Sequence, residues 1–178
     1  MRFMSRLAVL LAAGLALSTG ALSAQSLINR RAPSFSLPDS SMQQHDILDY
    51  RGSWLFLDFM KTDCPVCKQL SVKLEGLKTK YGIKVAVVSI VVTPPETQTT
   101  VGKYIAETKS TSPILFDLSQ VAISYFKATP QNPAFDTPHL FAINPTGMIV
   151  KDWNQGGVQS PMFQSELDQL IAGSPAKK

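Results

Sequence analysis

Two apolar patterns alternate along the chain from residue 54 onward. "WLFLDFM", Trp54 to Met60, is a short, aromatic-rich apolar run bounded by Gly52-Ser53, which suits a buried strand. Val66, Leu70, Leu74, Leu77 and Tyr81 then recur at helical spacing, with Lys68, Lys73, Lys78 and Lys80 mostly off that line. "KVAVVSIVV", Lys84 to Val92, is almost wholly apolar and β-branched, the signature of a central strand covered on both faces. "TPPE" breaks it. Residues 97–108 read as a helix with Val101, Tyr104 and Ile105 inward; "PILFD", Pro113 to Asp117, as a short strand; and "LSQVAISYF", Leu118 to Phe126, as a helix. After the loop "ATPQNPAFDTP", residues 139–153 hold two apolar runs around Asn144-Pro145-Thr146-Gly147, a hairpin signal. A last helix is predicted over Pro161 to Ile171, with Phe163, Leu167, Leu170 and Ile171 inward. Residues 30–53 are turn-rich with short extended pieces. The order of elements predicts an α/β fold, a mixed central sheet with helices on both faces. Chemistry in such sheets gathers at the carboxyl ends of the strands.

The N-terminus follows a different pattern. Arg2 and Arg6 precede an 11-residue apolar run, Leu7 to Leu17, and then "STGALSA". This predicts a cleaved export signal over residues 1–24, with a single domain over 25–178. The run is short for a membrane anchor, which takes about 20 residues. Loss of Arg2 and Arg6, with no acid in the leader, lowers the net charge from +4 to +2. No Lys/Arg cluster with interleaved aromatics is present, so nucleic acid is not an expected partner. Export, to the periplasm, also places the chain where thiols tend to be oxidised.

The chain has two cysteines, Cys64 and Cys67, just past the first central strand. A domain of this size does not need a disulfide for stability. A bridge across two residues closes almost no loop, so the spacing favours chemistry over stapling. Asp63 reads as the helix N-cap, which puts Cys64 at the first helical position and Pro65 at the second. A sulfur at a helix N-terminus meets free N–H groups and the positive end of the dipole, which favour thiolate. Lys61 and Lys68 would add to this and Asp63 would oppose it. Asp58 lies within the apolar strand. If both faces are buried its pKa rises, and a raised carboxyl can carry the proton of Cys67. An edge strand would instead leave Asp58 in solvent.

Asp58, Cys64 and Cys67, with "APSFSLPD" (32–39), "LDYRGSWLFLDF" (48–59) and "TPHLFAINPTGMIV" (137–150), resemble the thioredoxin-like superfamily. Within it the sequence is most similar to exported TlpA/ResA-like thiol:disulfide oxidoreductases, which share a region with the alkyl hydroperoxide reductase/thiol-specific antioxidant proteins. The resemblance implies a thioredoxin-like three-layer fold. It implies a cis peptide at Thr137-Pro138 beside the cysteines. Thr137 and Pro138, with Pro65 and Val66, would form the edge on which an extended substrate docks. Cys64 would be the exposed nucleophile and Cys67 the resolving thiol. The implied partners are proteins with thiols or disulfides and a membrane electron donor, as in cytochrome c maturation, and no dissociable cofactor is implied. Two departures stand out: Asp63 replaces a frequent Trp, and the dipeptide between the cysteines is Pro65-Val66.

Two other readings stay open at this point. A thiol peroxidase of the peroxiredoxin kind would carry Pro-x-x-x-Thr-x-x-Cys, but with Cys67 as the peroxidatic residue those places hold Met60 and Cys64. A Cu(I) site could use Cys64, Cys67 and His139, since two thiolates and an imidazole suit that ion. His45 lies in the turn-rich region without a partner motif.

Overall fold

The computed structural model describes residues 28–128 and 135–173. The expected export signal, its cleavage region and residues 129–134 of the loop before Thr137 lie outside the described residues. The strands are β1 (Arg30–Arg31), β2 (Ser36–Pro38), β3 (Gln44–Asp46), β4 (Trp54–Phe59), β5 (Val85–Val92), β6 (Ile114–Asp117), β7 (His139–Ile143) and β8 (Met148–Trp153). The α-helices are α1 (Pro65–Tyr81), α2 (Gln98–Thr108), α3 (Gln120–Phe126), α4 (Gln155–Gln159) and α5 (Phe163–Ala172).

One sheet of six strands runs β1-β8-β7-β4-β5-β6, and β2 and β3 form a separate ribbon. β4, β5 and β6 are parallel, while β7, β8 and β1 join antiparallel, so the sheet is mixed. β4 sits centrally and every residue in it is buried. Its alternation divides the core. Leu55, Leu57 and Phe59 face a cluster with Val121, Ala122 and Tyr125 of α3. Trp54 and Phe56 face Leu70, Leu74 and Leu77 of α1 and Phe163, Leu167 and Ile171 of α5. A third cluster at the carboxyl end joins Met60 and Cys67 to Val91, Val101, Tyr104 and Ile114. Helices thus cover both faces, as the pattern predicts.

The hairpin forms because Asn144 organises its turn. Its side-chain oxygen accepts from the Thr146 and Met148 amides at 3.1 and 2.9 Å. Gly147 supplies the positive φ of 86° that the turn requires.

Among the differences from the sequence prediction, two helices start later and one helix is added. The third helix begins at Gln120, not Leu118, because buried Asp117 accepts from the Val121 and Ala122 amides at 3.1 and 2.8 Å and so sets the start. The last helix begins at Phe163, not Pro161. Ahead of it lies α4, which its two glycines hide from propensity; Asn154 caps it by accepting from the Gly157 amide at 3.0 Å.

Phe56 is fully buried at the centre of the α1 face. Phe56→Ala should lower the unfolding free energy by about 3–5 kcal/mol. Denaturant titration should show this as a lower midpoint with an unchanged slope.

Candidate active site

β4 delivers the chain to the carboxyl edge of the sheet, and residues 60–64 turn it into α1. The N-cap of α1 is Cys64 itself, with φ −87° and ψ 115°, and Pro65 is the first helical residue. The expected cap at Asp63 is therefore one residue too early. Proline fixes φ for the first helical position and has no N–H to lose there. That leaves Cys64 extended before it, and its sulfur takes the acceptor role that a Ser or Asp oxygen usually fills. Cys64 Sγ accepts from the Cys67 amide at 3.1 Å. The two cysteines are disulfide-bonded, with Cα atoms 5.2 Å apart. Cys64 is half-buried and Cys67 is fully buried. An amide donor and the helix dipole converge on the more accessible sulfur, an arrangement that stabilises a thiolate once the pair is reduced.

Asp58 lies on the α1 face of β4, in register with Ser89 of β5 and Leu140 of β7. It is completely buried, which removes the edge-strand alternative. Neither carboxyl oxygen has a hydrogen-bond partner among the described residues. Burial pushes its pKa up to about 8. Near neutral pH such a carboxyl is largely neutral yet able to lose its proton. Tyr104, also buried, donates its hydroxyl to the Cys67 carbonyl at 3.1 Å and anchors the first turn of α1 from α2.

Thr137-Pro138 is a cis peptide. Pro138 is buried and Thr137 half-buried. The next residue, His139, pairs with Phe59 at the end of β4, so the sheet brings the Thr137-Pro138 edge to the end where β4 leaves for Cys64. Between the cysteines, Pro65 is exposed and Val66 half-buried.

The imidazole of the copper reading is not brought to the cysteines. β7 alternation places His139 with Phe141, on the face opposite α1, where its ring packs against Phe126 and Phe141. Its Nε2 lies 2.8 Å from Asp152 Oδ2. His45 is engaged elsewhere, by Tyr50 Oη at 2.9 Å and Asp39 Oδ2 at 3.1 Å. No group of three His, Cys, Asp or Glu side chains converges among the described residues. Met60 is buried in the cluster that holds Cys67, at the place where the peroxiredoxin motif has proline.

Sequence reasoning misses Glu96. Its carboxylate accepts from the Thr62 amide, two residues before Cys64, at 2.8 Å. No local signal marks it, because its partner Thr62 lies 34 residues away in sequence.

Comparison with known proteins agrees with this geometry. Residues 28–152 match the AhpC/TSA family. The thiol-disulfide oxidoreductase ResA of Geobacillus thermodenitrificans is 26% identical over 127 residues, covering 70% of this chain and 67% of that protein. ResA of Bacillus subtilis is 24% identical over 124 residues, covering 67% of this chain and 63% of that protein. The chain thus spans about two thirds of the length of these relatives. The thioredoxin domain of a thiol-disulfide oxidoreductase of Bacteroides vulgatus superposes with a TM-score of 0.65 at 14% identity, over 81% of this chain and 97% of that one. The fold is thioredoxin-like.

The buried carboxyl has a measurable cost. Its folded pKa of about 8 lies above the unfolded value, so the folded state holds a proton that the unfolded state releases. The penalty is absent below pH about 4, grows through neutrality and is complete above the folded pKa. A tenfold difference in proton affinity between the two states is worth about 1.4 kcal/mol. Asp58→Asn should therefore raise stability by several kcal/mol at pH 8 and by little at pH 4, as read by denaturant titration of the oxidised protein at both pH values.

Proposed function

The chain belongs to the AhpC/TSA family, and we propose that it is an exported protein-disulfide oxidoreductase whose Cys64–Cys67 pair reduces disulfides in partner proteins. The observation that carries this reading is the unequal pair at the start of α1: an accessible sulfur that caps the helix and a buried one three residues on. In this reading the accessible sulfur attacks and the buried one resolves.

In the reduced state the Cys64 thiolate attacks one sulfur of a partner disulfide. A mixed disulfide forms, and the second partner sulfur leaves as a thiolate. The Cys67 thiol passes its proton to the fraction of Asp58 that is ionised near neutral pH and attacks Cys64 Sγ. The bond to the partner breaks, the partner leaves with one thiol and one thiolate that takes its proton from water, and the Cys64–Cys67 disulfide remains. Two electrons have moved to the partner, and the Asp58 proton goes to a departing sulfur. Thr137 and Pro138 form the edge against which an extended partner segment pairs, with Pro65 and Val66 beside it.

Direction is argued from the sulfur's surroundings. A strong oxidant needs a reduced form stabilised well beyond a helix terminus. Val66 contributes no charge, and Lys68 is paired with Glu107. A reducing role, refilled by a membrane electron donor outside the cytosol, fits best, and thiol reduction in cytochrome c maturation is one pathway of that kind. Among the described residues no helix is long and apolar enough to cross a membrane.

Cys64→Ser should abolish reduction of a model protein disulfide. Cys67→Ser should accumulate mixed disulfides that a thiol reductant dissolves on a non-reducing gel. Full activity in Cys64→Ser would refute the mechanism.

A further inference from the structure

Among the described residues, the loop that presents Cys64 is held from outside by the carboxylate of Glu96. Glu96 follows Pro94-Pro95 at the end of β5 and is 6% exposed. Its Oε1 accepts from the Thr62 amide at 2.8 Å, and its Oε2 accepts from the Thr62 hydroxyl at 2.7 Å. The Thr100 hydroxyl, from the first turn of α2, reaches Oε2 at 2.6 Å. Burial works against the charge, but the hydrogen bonds from Thr100 and Thr62, with the nearby Lys61 ammonium, hold the carboxyl below its ordinary range. Glu96 is therefore ionised at neutral pH.

The rest of the loop is thinly tied. Met60 N–H bonds the Ile90 carbonyl at 3.0 Å, and Cys64 N–H reaches the Lys61 carbonyl at 3.4 Å. Between these, Thr62 has both its backbone and side-chain donors on Glu96. The helix starts at Pro65, only a few residues on, so a shift of Thr62 moves Cys64 relative to the Cys67 amide that its sulfur accepts from.

We propose that Glu96 is a positioning residue for Cys64: acting through Thr62, it fixes the loop so that the sulfur stays on the Cys67 amide and remains a reactive thiolate. This rests on the redox reading of the pair. The coupling also makes the β5–α2 loop part of the site's machinery, although Glu96 stands 34 residues from Thr62 in sequence.

Alkylation of Cys64 by iodoacetamide across pH tests this, using the full chain carrying Cys67→Ser so that one thiol reacts. Glu96→Ala should slow alkylation at neutral pH about tenfold and move the profile about one pH unit higher, the scale of one charge-assisted hydrogen bond. Thr62→Val keeps the Glu96 charge and should shift the profile the same way, by about threefold in rate. Glu96→Gln retains an acceptor and should lie between Glu96→Ala and the parent. Loss of a negative charge acting through its field alone would do the reverse, moving the profile lower. An unchanged profile in a folded Glu96→Ala protein overturns the proposal, as does a downward shift in both Glu96 variants with Thr62→Val unmoved. If Glu96→Ala does not fold, Thr62→Val and Glu96→Gln decide by the same criteria. Alkylation needs no partner protein. Failure of the wild type to exchange disulfides would thus sink the functional reading while leaving the alkylation result to judge Glu96.

Discussion

The site depends on one hydrogen bond, from the Cys67 amide to Cys64 Sγ at 3.1 Å. A helix start leaves amides without partners, and a cap normally satisfies one with oxygen. Here sulfur does so. The amide that completes the helix is also the one that favours charge on the sulfur. Pro65 sets the helix to begin just after Cys64 and leaves that residue to cap it.

Three elements hold this start in place. β4 brings it to the sheet edge, with all six of its residues buried so that the exit point cannot drift. α2 reaches in with the Tyr104 hydroxyl on the Cys67 carbonyl. Glu96 takes the Thr62 amide from the other side of the loop. Beneath them Asp58 is left without a hydrogen-bond partner among the described residues, a placement that costs stability at neutral pH. An apolar residue would fit the strand better. In the proposed mechanism Cys67 uses that carboxyl as its proton acceptor, so the cost in β4 and the use at the site act in opposite directions.

Much of this is legible in the sequence, for identifiable reasons. β4, β5, α1 and the β7–β8 hairpin carry strong periodicity, and Asn144 to Gly147 spell out their turn. The apolar run around Asp58 leaves burial and an exposed edge both open, and the central place of β4 in the sheet decides for burial. The predicted cap is off by one residue because two local signals compete at Asp63 and Pro65, and geometry resolves them in favour of proline. His139 looks available to the cysteines because it is adjacent to Pro138, but strand alternation turns it to the other face. β1 is two residues long and exists only through its pairing with β8, and Glu96 acquires its meaning only from Thr62 on another element. Neither relation is local, so no window of sequence contains it.

If Cys64 and Cys67 form a working redox couple poised to reduce, its equilibrium reduction potential against a defined dithiol buffer at pH 7 is the decisive quantity. A reversible two-electron couple at the reducing side, below about −200 mV, is the expected result. A pair that does not equilibrate with the buffer, or one near about −120 mV where strong disulfide donors lie, would contradict a reducing role.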